Sequence, residues 1–144
     1  MRILSLDLGI KSMGICITDE LNIIAIPLKN FFFEERNFDE AINILKDITK
    51  KYKIGTILLG YPLKVGGQKS EITLIVEEFY KNLKKEFINI KIKLYDERFT
   101  TQRGIELLKQ KYKDSNKVAL YKDMAAAYVM LFDYLTYNNG EHND

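Results

Sequence analysis

Residues 3–17 read Ile3-Leu4-Ser5-Leu6-Asp7-Leu8-Gly9-Ile10-Lys11-Ser12-Met13-Gly14-Ile15-Cys16-Ile17. Two short apolar runs flank a turn, and an acid stands inside the first. The pattern predicts two antiparallel strands. A carboxylate in an apolar strand is costly to bury unless a cation, a donor or water meets it. Gly9 and Gly14 bracket the connection, where the backbone needs positive φ or close approach by another group. A hairpin acid that merely caps its turn accounts equally well for Asp7 taken alone. Acids further along the chain tip the balance toward a site.

Outward from this hairpin the chain alternates in period. A turn around Asp19 to Asn22 leads to a third strand, Ile23 to Phe32, and Pro27 assigns it to an edge or a bulge. Asn37 or Asp39 caps a helix to about Tyr52, with Ile42, Leu45 and Ile48 at helical spacing. Ile54 to Gly60 is a buried strand, ended by Tyr61-Pro62. Lys64 to Lys69, with Gly66-Gly67, reads as a flexible loop. Ser70 caps the next helix, and Thr73 is a poor third residue for a capping box. Ile90 to Tyr95 is a fifth strand. A threonine at 100 or 101 opens a helix to about Lys111, Tyr112 to Lys117 is a polar loop, and a last helix runs from about Leu120 to Thr136. Phe31, Phe32 and Phe33 form either a core edge or a dimer face.

This order, β-β-β-α-β-α-β-α-α, predicts an α/β fold. A five-stranded mixed sheet holds strands one to three as an antiparallel meander, strands four and five run parallel to strand one, and helices cover both faces. Residues 1–137 make one domain, and residues 138–144 are a polar tail. In such sheets, sites form beyond the carboxyl ends of the central strands. Asp7, Gly60 and the Asp96-Glu97 pair all fall there.

Composition sets the bounds. The 144 residues are 47% hydrophobic and 29% charged, which suits one globular domain. No apolar run reaches the ~20 residues that a membrane helix needs, so no membrane partner is expected. Cys16 is the only cysteine, which excludes an internal disulfide and favours the reducing cytoplasm. The one histidine, His142, stands in the tail, which argues against a histidine-based triad and against a His/Cys zinc site. A net charge of +2 neither demands nor opposes a nucleic-acid partner. Carboxylates are the remaining chemistry.

Asp123 is the further acid, in Lys122-Asp123-Met124-Ala125-Ala126-Ala127. An acid in a first helical turn suits the helix dipole by itself. Ala126 and Ala127 share its face, though, and small side chains there let the helix approach the sheet and carry Asp123 toward Asp7. Three converging carboxylates repel, so one takes a proton or a hard divalent cation neutralises them. All-oxygen ligation suits Mg²⁺ or Mn²⁺. Two such ions about 4 Å apart activate water and stabilise the leaving oxygen in phosphodiester cleavage.

Four motifs occur in order: Asp7-x-Gly9-x-Lys11-x-x-Gly14, Gly60-Tyr61-Pro62-Leu63, Asp96-Glu97-Arg98-Phe99-Thr100-Thr101 and Lys122-Asp123-x-x-Ala126-Ala127. Together they resemble the YqgF family, also called RuvX, of the RNase H-like superfamily, over almost the whole chain. The resemblance implies an RNase H-like sheet and a bacterial cytoplasmic metal-dependent nuclease that matures the 5′ end of 16S ribosomal RNA. Holliday-junction resolution, which needs two sites and hence a homodimer, is the alternative. A non-cleaving RNA-binding module in ribosome assembly is another. Carried over by position, Asp7, Glu97 and Asp123 match the acidic triad that holds metal and catalyses. Lys11 and Arg98 match candidate contacts to the nucleic acid, whether precursor rRNA or branched DNA. Strand alternation by itself does not choose between Asp96 and Glu97. Ser12, Val65-Gly66-Gly67 and Gly104 depart from the family's usual residues without touching the triad. The Asp7 to Gly14 pattern also resembles the first phosphate loop of actin-like ATPases, but their second domain does not fit in this length.

Overall fold

A computed structural model describes residues 1–97 and 100–141, with residues 100, 101 and 138–141 described by backbone alone. Its strands are β1 (Arg2–Leu8), β2 (Ser12–Thr18), β3 (Ala25–Phe32), β4 (Ile54–Tyr61) and β5 (Lys91–Asp96). The helices are α1 (Phe38–Lys51), α2 (Glu71–Glu86), α3 (Thr100–Lys111), α4 (Ser115–Tyr121) and α5 (Ala125–Glu141), with a 3₁₀ turn at Lys122–Met124. The sheet order is β3-β2-β1-β4-β5. β1, β2 and β3 pair antiparallel, while β4 runs parallel to both β1 and β5. This is the mixed sheet that the alternating pattern predicts.

Alternation along β1 sorts the two faces. Leu4, Leu6 and Leu8 join Met13, Ile15, Ile57 and Leu59 beneath α1 and α2. Ser5, Cys16 and Leu58 face the other way, and α3 and α5 pack there through Leu108, Ala127, Met130 and Leu131. No helix of the described residues is long and apolar enough to cross a membrane. Phe31 and Phe33 pack into the first core, whereas Phe32 is exposed.

β3 begins two residues later than the sequence pattern predicts. The Asp19 carboxylate accepts hydrogen bonds from the Ile23 and Ile24 N–H groups, and Asn22 takes φ 56°, so a tight turn consumes residues 19–24. Pro27 does sit at an irregularity of the edge strand, where the register with β2 shifts beside Cys16. At α1 the cap is Asn37, whose side chain accepts from the Glu40 N–H at 3.2 Å.

Two loop expectations are corrected. Residues 63–69 form a small hairpin: Leu63 bridges Lys69, the Lys64 N–H donates to the Gln68 carbonyl, and Gly67 turns with φ 91°. Thr73, expected to be a poor capping residue, serves well. Its hydroxyl accepts from the Ser70 N–H at 3.0 Å and donates to the Pro62 carbonyl. A buried hydroxyl with both bonds made ties this hairpin to the start of α2. The stretch read as a polar loop, Tyr112 to Lys117, holds the first residues of α4, which starts where the Asp114 carboxylate accepts from the Asn116 N–H, and the last helix, expected from about Leu120, starts at Ala125 after the 3₁₀ turn.

Candidate active site

One row of residues crosses four strands on the α5 face. Asp7 on β1 pairs with Gly14 on β2, and Gly14 pairs with Asn30 on the edge strand β3. On the other side, Leu6 pairs with Leu59, so Gly60 continues β4 beside Asp7. Asp7 therefore stands between two strands that carry glycine at its level. A side chain on either would fill the space above it.

Glu97 fills the space above Gly60. A Cβ on Gly60 would lie 2.5 Å from Glu97 Oε2 and 2.8 Å from its carboxyl carbon. The Glu97 N–H donates to the Tyr61 carbonyl at 3.4 Å, so the β4–β5 ladder continues past Asp96. Alternation thus also continues, and it turns Asp96 to solvent and Glu97 inward. The two carboxyls of Asp7 and Glu97 are hydrogen-bonded to each other.

Such a pair cannot hold two negative charges cheaply. Burial raises the Asp7 carboxyl above the ordinary carboxylate range, and its hydrogen bond with Glu97 opposes that rise. Glu97 is pushed up to about 9, first by burial, then by the charge on Asp7 and their hydrogen bond, and last by the charge on Asp96. One proton is therefore shared between them at neutral pH.

Asp123 approaches over the other glycine. A Cβ on Gly14 would meet the Asp123 carbonyl oxygen at 2.9 Å and Met124 Cα at 3.4 Å. Two hydrogen bonds from the sheet dock this segment. Ser5 Oγ donates to the Ala127 carbonyl at 2.6 Å, and Cys16 Sγ to the Met124 carbonyl at 3.8 Å. Ser5 and Cys16 are themselves a cross-strand pair, next in the α5-facing series to Asp7 and Gly14. Small residues permit the approach, as Ala126 and Ala127 predict. A Cβ on Gly104 would lie 2.7 Å from the Ala125 carbonyl carbon, so α3 also closes onto the start of α5. Farther along, Arg103 Nη1 pairs with Asp133 Oδ2 at 2.5 Å, across the same two helices.

The Asp123 carboxylate is exposed, and its Oδ2 accepts from Asn30 Nδ2 at 3.5 Å. Asp7 and Glu97 are thus in contact, and Asp123 stands one strand away on the same face. Among the described residues, no three His, Cys, Asp or Glu side chains are grouped closely enough to hold a metal ion. Lys11 is exposed in the β1–β2 turn, where its carbonyl accepts from the Phe33 N–H. Arg98 lies outside the described residues. Sequence reasoning missed Asn30. Its signal was a strand-disfavoured amide in a mostly apolar strand, two strands from Asp7.

Comparison with known proteins gives a consistent picture. The RuvX family, described as Holliday junction resolvase, matches residues 1–137. A Mycoplasmopsis pulmonis protein named "Putative pre-16S rRNA nuclease" is 48% identical over 136 residues, covering 94% of this chain and 92% of its own. A protein of the same name from Ureaplasma parvum serovar 3 is 43% identical over 145 residues, covering 96% and 99%. Two solved structures share the fold. The fowlpox virus resolvase bound to Holliday junction DNA has a TM-score of 0.60 at 21% identity, covering 94% of this chain and 97% of that one. Thermus thermophilus RuvC, described as T. thermophilus RuvC with its Holliday junction substrate, also scores 0.60, at 10% identity, covering 97% and 96%.

Proposed function

The chain belongs to the RuvX (YqgF) family, and from that premise we propose that it is a metal-dependent endonuclease acting on precursor 16S rRNA in the cytoplasm. The observation that carries this reading is the shared-proton pair of Asp7 and Glu97, set between Gly14 and Gly60 with the Asp123 turn alongside. A buried carboxyl pair above neutral glycine floors is an unstable arrangement for a purely structural role. It suits a hard cation, because carboxylate oxygens are the donors such ions prefer.

Asp7 and Glu97 would hold Mg²⁺ or Mn²⁺, and Asp123, exposed one strand away, would join them by turning its side chain toward the pair. When bound, divalent ions of this kind lower the pKa of water and stabilise charge on phosphoryl oxygens, and a two-ion site does both. The protein's own contribution is placement. Asp7 is fixed by the central strand, Glu97 by the extended β4–β5 ladder, and Asp123 by the docking of Ser5 and Cys16 under α5. At neutral pH the pair holds one proton between Asp7 and Glu97, and release of that proton doubles the negative charge at this spot. Lys11, exposed in the turn beside Asp7, supplies a positive charge for a backbone phosphate. Arg98, directly after Glu97, is assigned the same role.

The family description and the two resolvase folds favour four-way DNA junctions as the second substrate reading. Symmetric cleavage of a junction needs two copies of the site, hence a dimer. The test is cleavage of a precursor 16S rRNA fragment, a plain duplex and a four-way junction, each with Mn²⁺ and with EDTA. Asp7→Asn, Glu97→Gln and Asp123→Asn serve as controls. Metal-dependent cutting of the rRNA fragment alone, lost in all three variants, is expected. Paired cuts in the junction by a sedimenting dimer would move the assignment to resolvase. Full activity in EDTA would discard the site.

A further inference from the structure

We infer that Asn30 is a positioning residue for Asp123, an inference that rests on the acidic-site reading above. Asp123 is carried on a one-turn 3₁₀ segment rather than on a long helix or a strand. Its backbone is fixed over Gly14, but its side chain is exposed and has rotamers to choose from. Asn30 Nδ2 donates to one carboxylate oxygen, Oδ2, at 3.5 Å. Asn30 is in register with Gly14, and Gly14 with Asp7, so the amide and the Asp7 carboxyl flank the Asp123 turn from opposite sides. Two strand spacings, roughly 10 Å, separate them. Engaging Oδ2 from the edge-strand side restricts the rotamers of the carboxylate and leaves its other oxygen available to a cation. Half-buried in β3, Asn30 is itself held by the sheet and makes a firmer anchor than a surface loop.

A carboxylate that holds a cation is normally oriented by such a partner, and removing the partner weakens metal affinity by about 10–100-fold. The long hydrogen bond places the expected effect at the lower end, near 10-fold. Asn30→Val removes the donor and suits an edge strand; Asn30→Ala removes it with less bulk. Asn30→Gln retains an amide donor with enough reach.

The experiment is Mn²⁺ titration by calorimetry on the wild type, Asp123→Asn, Asn30→Val, Asn30→Ala, Asn30→Gln and the Asn30→Val/Asp123→Asn double variant. Far-ultraviolet circular dichroism and a thermal melt in EDTA check that each is folded. The proposal expects about 10-fold weaker Mn²⁺ binding in Asn30→Val and Asn30→Ala, partial recovery in Asn30→Gln, and no further loss when Asn30→Val is added to Asp123→Asn. Wild-type affinity in the folded Asn30→Val and Asn30→Ala variants overturns the positioning role, while Asp123→Asn still weakening the metal keeps the site reading. Tighter binding in those variants also overturns it. If the wild type binds no Mn²⁺, the site reading falls and this inference falls with it.

Discussion

Replacing Asp7 by Asn should stabilise the metal-free protein at alkaline pH while abolishing cleavage. The shared proton sets the sign. In the unfolded chain Asp7 and Glu97 both ionise near pH 4. In the folded chain Glu97 stays protonated until about pH 9, chiefly through burial and then through the charge of Asp7. Between those values the folded state binds about one proton more than the unfolded state, so stability falls as pH rises. The ceiling on the slope is about 1.4 kcal/mol per pH unit, or roughly 4 kcal/mol from pH 5 to pH 8. Asp7 and Glu97 are each only partly buried as residues, and screening brings this to about 2 kcal/mol. Asp7→Asn removes the like charge, and its amide can donate to an ionised Glu97, so the part of this slope that Asp7 causes disappears while the larger part due to burial stays. Urea unfolding in EDTA at pH 5, 6, 7 and 8 measures the difference. Wild type and variant should agree at pH 5, and the variant should be ahead by roughly 0.5–1 kcal/mol at pH 8, equivalent to a few degrees in Tm. Carboxylates with lowered pKa, such as Asp19 and Glu77, act equally in both proteins and cancel. Parallel pH profiles for the two proteins, or a wild type that gains stability from pH 5 to 8 relative to the variant, would refute the shared proton. Mn²⁺ should raise the Tm of the wild type by more than that of the variant, since a cation bound only to the folded state stabilises it.

Three substitutions probe the close approaches. Gly60→Ala places a methyl 2.5 Å from Glu97 Oε2, so Glu97 must move off Asp7; the cleavage rate should fall at least 10-fold with about 1 kcal/mol or less lost in a melt. Gly104→Ala gains about 1 kcal/mol of helix propensity, yet its methyl meets the Ala125 backbone, and a net loss of about 1–2 kcal/mol by urea titration is expected. Arg103→Met leaves the buried Asp133 carboxylate without its 2.5 Å ion pair, which should cost about 2–3 kcal/mol; Asp133→Asn in the same background should recover part of it.

The sequence by itself determined the alternation of strands and helices, the antiparallel meander followed by parallel strands, and the two-sided burial of the sheet. These follow from hydrophobic period, which is a local property. It also determined that Asp7 and the Asp96-Glu97 pair reach the strand ends, because they stand where β1 and β5 finish. Other features were local but masked by composition. The Lys- and Asn-rich stretch after Tyr112 concealed α4, and Thr73 looked unpromising until Pro62 offered its carbonyl as a second partner. The choice of Glu97 over Asp96 depended on whether the ladder continued past the strand, and that depended on the Tyr61 carbonyl in a neighbouring strand. Only the tertiary structure decided why Gly14 and Gly60 are glycines. The atoms that need their missing side chains belong to Asp123 and Glu97, 109 and 37 positions away in the chain. Steric room between distant segments leaves no periodic trace, so the floor of the site, and Asn30 at its edge, emerge only once the strands are in register.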